Sequence, residues 1–136
     1  MYSIEEEIKE VSSLIKKYPK IKEFYLIRAK LYEEVLQYVN ALNDYKKATD
    51  NYLCMAVKTI CKKYNLVEEV EKIYKKEIKA NKNNYRNYIS RAYFYIDIGK
   101  KGKALKDYKT ALKLVPKNDF EIKSIKELIK KIKKTK

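Results

Sequence analysis

The sequence predicts an all-α fold: a helical solenoid of about three antiparallel helix pairs, with an N-terminal half-repeat helix and a C-terminal capping helix, about eight helices in all. Three observations predict it. Apolar residues recur at helical spacing along nearly the whole chain. The 136 residues include only two Gly and two Pro, fewer than sheets and tight hairpins require. And a block of sequence recurs without gaps at an offset of 63.

Taken in order, residues 3–18 form the first element. Ser3 followed by Glu6 is a capping box, Ile4, Ile8, Val11 and Ile15 make an apolar stripe, and Pro19 stops the helix. The recurring block comes next. Tyr25-Leu-Ile-Arg-Ala-Lys-Leu-Tyr32 with Ala41-Leu-Asn-Asp-Tyr-Lys-Lys-Ala48 aligns with Tyr88-Ile-Ser-Arg-Ala-Tyr-Phe-Tyr95 and Ala104-Leu-Lys-Asp-Tyr-Lys-Thr-Ala111. Ten positions are identical, among them Arg28/Arg91, Ala29/Ala92, Asp44/Asp107 and Tyr45/Tyr108. Tyr25, Ala29 and Tyr32 share one helical face, as do Ala41, Tyr45 and Ala48. Small residues let two antiparallel helices approach, and the tyrosine rings fill the space beside them.

Between the copies, Asn65 with Glu68 reads as a capping box for a helix whose stripe is Val67, Val70, Ile73, Tyr74 and Ile78. Residues 119–134 carry Ile122, Ile125, Leu128, Ile129 and Ile132 on one side and Lys on the other, the polar outer face a terminal helix needs.

The alternation of large aromatic, small residue and Tyr, then Ala, aromatic and Ala, resembles the tetratricopeptide repeat. The last copy is the nearest match, with Gly99 at the helix–helix turn and Pro116 after the second helix. The resemblance spans 22–118 and implies one right-handed solenoid over 1–136: repeat one at 22–50, a divergent repeat two at 51–84 and repeat three at 85–118. Tyr74 lies 34 residues before Tyr108 but 29 after Tyr45, so repeat one is five residues short near Asp50-Asn51. Lys58 stands where the family prefers a small residue, which predicts irregular geometry in that helix.

In this family the first helix of each pair lines a concave groove. Carried onto this chain, the groove comprises Leu26 and Lys30 (with Glu33), then Tyr52, Met55, Thr59, Lys62 and Lys63, then Arg86, Ile89 and Tyr93 (with Ser90). The expected ligand is a protein or peptide segment with apolar anchors and acidic residues. A subgroup of the family clamps chaperone C-terminal carboxylates with Lys and Asn. Here the Asn positions hold Lys30 and Ala56, so no clamp is expected. The six framework tyrosines belong to the core, leaving Tyr52 and Tyr93 for a ligand.

Composition bounds the chemistry. Absence of His excludes Cys/His zinc sites and His-based acid–base catalysis. Cys54 and Cys61, seven apart, read as buried small hydrophobes, and no Gly-rich phosphate loop occurs. No enzymatic activity, cofactor or metal is expected. The net charge of +15 suggests nucleic acid or an anionic membrane, but 30 of 33 bases are Lys, whereas dedicated readers rely on Arg. Lys, Ile, Asn and Tyr, all with A/T-rich codons, fill half the chain, so composition accounts for much of the charge. Polyanion binding through the Lys-rich terminal helix is therefore the second reading. The acidic start MYSIEEEIKE lacks the marks of a signal peptide, and no apolar run suffices to span a bilayer. A cytoplasmic, reducing location is expected.

Overall fold

The computed structural model describes residues 3–48, 55–117 and 119–135. It is all-α, with eight helices and no strand among the described residues. They are α1 Ile4–Lys17, α2 Lys22–Glu34, α3 Tyr38–Ala48, α4 over 55–64, α5 Val67–Ala80, α6 Tyr85–Asp97, α7 Lys101–Leu114 and α8 Glu121–Lys134. Contacts divide the chain into two compact units, Met1–Ile73 and Tyr74–Lys136, with the boundary inside α5.

Local signals set most helix ends. Ser3 is the N-cap of α1, its Oγ accepting from the Glu6 amide at 3.2 Å. Val115, before Pro116, is extended (φ −67°, ψ 140°) and closes α7. Three helices end on a left-handed residue: α2 at Leu36 (φ 63°), α4 at Asn65 (φ 56°) and α6 at Gly99 (φ 79°). In each, the following amide donates back five residues, Gln37 to Tyr32, Leu66 to Cys61 and Lys100 to Tyr95, at 2.8–2.9 Å. Asn65 thus ends α4 and does not form the predicted box for α5; Asn tolerates positive φ better than most residues.

The irregularity expected in α4 is a π-helical stretch, Val57–Cys61. There Thr59 Oγ1 donates to the Met55 carbonyl at 3.1 Å, a bond that competes with regular helix pairing. Tyr52, Cys54, the Asp50-Asn51 junction and the Lys58 side chain lie outside what is described.

The helices pack as adjacent pairs, α2 with α3 and α6 with α7, flanked by α1 on α2 and α8 on α7. Ala29, Ala41, Ala92 and Ala104 are fully buried in these pairs, as the small-residue argument required. Tyr45, Tyr95 and Tyr108 are buried, while Tyr25, Tyr32 and Tyr88 are half-buried. The recurrence extends beyond the matched sequence: α1, α2 and α3 begin at Ile4, Lys22 and Tyr38, and α5, α6 and α7 begin 63 residues later, at Val67, Tyr85 and Lys101.

Each copy is locked by the same ion pair. Arg28 donates through Nε and Nη2 to both oxygens of Asp44, at 2.7 and 2.8 Å; Arg91 does so to Asp107, both at 2.8 Å. These aspartates are almost wholly buried, and the bidentate bonds hold both guanidiniums above their already high ordinary pKa. Tyr25 Oη donates to the Pro19 carbonyl at 3.3 Å, and Tyr88 Oη to the Lys82 carbonyl at 3.1 Å, again 63 residues apart.

Candidate functional site

A cavity lies beside each of these pairs. In the first unit, Tyr45, Ala56 and Ile60 form the buried floor of a cavity of about 190 Å³; Leu26 and Glu33 make half-buried walls, and Lys30, Met55 and Thr59 the exposed rim. Helical spacing explains the set. Leu26, Lys30 and Glu33 follow i, i+4, i+7 along α2. Met55 and Thr59 come from α4, whose π stretch places an extra residue in the turn that carries Thr59 and Ile60.

Tyr45 Oη donates to a Glu33 carboxylate oxygen across this cavity. Burial chiefly, and the carboxylate next, push the Tyr45 hydroxyl well above its ordinary pKa. Glu33 is thereby engaged from within, and Lys30 supplies the exposed cation at the rim. The result is an apolar floor, the Lys30 cation and the Glu33 carboxylate above it, and a flexible thioether 62% exposed.

In the second unit, Tyr108 forms the buried floor of a cavity of about 250 Å³. Tyr93 and Ile96 of α6, Lys101 of α7, and Leu128, Lys131, Ile132 and Thr135 from α8 and its end complete it. The Tyr93 ring meets Tyr108 edge to face, centroids 6.2 Å apart. Burial, and then Tyr93, raise the Tyr108 hydroxyl pKa. Lys101 Nζ donates to Thr135 Oγ1 at 2.9 Å, fastening the end of α8 to α7.

No family model matches the chain, and no curated protein matches it.

Four residues expected in the groove, Leu26, Lys30, Met55 and Thr59, converge on the first cavity, and Tyr93 lines the second. Lys62 and Lys63 are exposed on the last turn of α4, with Lys63 Nζ 5.5 Å from the Tyr64 ring centroid. Arg86 is largely exposed and pairs with Glu121 at 3.2 Å; Ile89 is half-buried. Tyr52 lies outside the described residues.

Sequence reasoning missed the part played by the frame. Tyr45 and Tyr108, assigned to packing, are also cavity floors, and Leu128 and Ile132, assigned to capping, form a wall. No sequence signal marked this wall: Leu128 and Ile132 share one stripe with the buried Ile125 and Ile129 and differ from them only in exposure. Cys61 is a buried free thiol, its pKa raised by burial. Among the described residues no His, Cys, Asp or Glu cluster could hold a metal ion, and no helix is long and apolar enough to cross a membrane.

Proposed function

We propose that this protein is a non-catalytic interaction module of tetratricopeptide type that binds a partner protein through a segment carrying apolar and acidic side chains. The observation that carries the reading is the convergence of Leu26, Lys30, Met55 and Thr59 on one cavity. Residues separated by up to 33 positions in sequence, chosen for their place on the first helix of a pair, meet around an apolar floor. An apolar side chain of the partner enters against Tyr45, Ala56 and Ile60, and a neighbouring carboxylate meets Lys30. Met55 adapts its shape to the anchor. The second cavity, with Tyr93 over Tyr108, takes an aromatic or branched side chain. A reducing, cytoplasmic setting is part of this reading, and the buried thiol of Cys61 is compatible with it.

The test is selection of peptides from a random display library against the whole chain, followed by calorimetry on the enriched sequence. Lys30→Ala combined with Met55→Ala should weaken that peptide about tenfold to a hundredfold while leaving the unfolding midpoint nearly unchanged, since both residues are exposed. Failure to enrich any peptide, or an enriched peptide indifferent to both substitutions, would contradict the proposal.

A further inference from the structure

The outer face of α8 is separate from both cavities. Ile125 and Ile129 are buried at 2% and 9% exposure, so the centre of the helix's apolar stripe is committed to the fold, while half-buried Leu128 and Ile132 line the second cavity and half-buried Ile122 borders the outer face. At about 100° per residue, Phe120, Lys123, Glu127 and Lys130 fall on the opposite side. Phe120, at the N-cap of α8, is 83% exposed, the highest value for a large apolar side chain among the described residues.

Phe120 borders an open trough of about 600 Å³ whose lining comes from α8 and the turn before it. Four lysines line it, Lys117, Lys123, Lys126 and Lys130, against two carboxylates. One of these, Asp119, is engaged: it accepts the Glu121 amide at 2.8 Å. The trough therefore combines a projecting aromatic ring with excess positive charge.

We propose that this face docks on an anionic phospholipid bilayer, with Phe120 inserted at the boundary between headgroups and acyl chains and the lysines lying over lipid phosphates. A peptide ligand calls for walls on two sides, and the lining here comes from one helix and its entry turn; a planar surface needs only one face. Single-stranded nucleic acid calls for several stacking rings in succession, and this face offers one. Lysine is a point charge suited to a diffuse anionic surface, and its contributions there add from residue to residue. Charge alone gives loose association; an inserted ring makes it a docked one. This inference goes beyond peptide binding and does not depend on it.

The chain contains no Trp, so Phe120→Trp places a single fluorescent reporter at the proposed point of entry. The whole chain is mixed with vesicles of about three parts phosphatidylcholine to one part phosphatidylserine, or of phosphatidylcholine alone. The expected result is a blue shift and protection from iodide quenching with the mixed vesicles, and neither with the neutral ones. Phe120→Ser should weaken co-sedimentation about tenfold, and Lys123, Lys126 and Lys130 changed together to Glu should abolish it, with helical circular dichroism unchanged. Absence of sedimentation with mixed vesicles would overturn the proposal. So would full sedimentation of Phe120→Ser, unshifted emission of Phe120→Trp with the mixed vesicles, or binding to single-stranded heteropolymer DNA in place of vesicles.

Discussion

The stretches Ile4–Ala48 and Val67–Ala111 start every helix at corresponding positions, yet they present different surfaces. Their frames coincide: the same Arg–Asp lock, the same tyrosine-to-carbonyl bond and the same left-handed helix end recur 63 residues apart. Their linings do not. Lys30 and Glu33 in the first copy correspond to Tyr93 and Ile96 in the second. As a result Tyr45 finds a carboxylate, and Tyr108 finds an aromatic edge. The comparison teaches that positions facing a paired helix are held by packing and a buried ion pair, while positions about 100° round the helix, next in sequence to Ala29 and Tyr32, differ between the copies.

The largest effect that would break the comparison concerns the lock. Asp44→Ala and Asp107→Ala each strand an arginine whose side chain is only 17% or 22% exposed. Each should cost about 2–4 kcal/mol in urea unfolding. Arg28 Nη1 also donates to Ser12 Oγ of α1 at 3.1 Å, so Asp44→Ala should be the milder of the two. Next comes the close helix contact. Ala29→Leu and Ala92→Leu overfill sites with no exposed surface and should each cost about 1–3 kcal/mol by thermal unfolding.

Smaller is the helix-end test, which separates the copies by sign. Leu36 occupies a left-handed conformation that Gly99 adopts in the second copy. Leu36→Gly should therefore stabilise by about 1 kcal/mol, and Gly99→Ala should destabilise by about as much. No heavy atom lies within 4 Å of a Cβ added at Gly99, so backbone strain alone sets that cost.

The smallest effect under ordinary conditions is alkaline. Folding raises the Tyr45 and Tyr108 pKa values above the ordinary value of about 10. The folded state then holds more protons than the unfolded one above that pH. Their contribution is complete below about pH 10 and declines as pH rises beyond it. Unfolding midpoints measured upward from pH 9 should fall, and less steeply in Tyr45→Phe.

Much of the frame was legible because it obeys local periodicity. Tyr25, Ala29 and Tyr32 announced a packed face, Ser3 and Pro116 announced ends, and ten identities at one offset announced recurrence. The ion pairs were present among those identities, but pairing is a three-dimensional property: Arg28 and Asp44 are 16 residues apart and meet only once two helices turn back on each other. The cavities were half legible. Positions facing inward along α2 and α6 followed from the helical period, whereas the contribution of α8 required knowing that its stripe overruns the surface it covers. Asn65 was misread because the same residue type suits a helix start and a left-handed helix end.

The claim on which the account turns is that lining and frame are separable, and exchanging the lining tests it most directly. Lys30→Tyr with Glu33→Ile gives the first cavity the two α6 residues of the second, Tyr93 and Ile96, and peptides are selected against this variant and the parent chain in parallel. The account predicts that the variant loses its preference for an acidic residue beside the apolar anchor, while its helical content and cooperative unfolding are retained. Selection of the same peptides by both chains, or collapse of the fold on exchange, would contradict it.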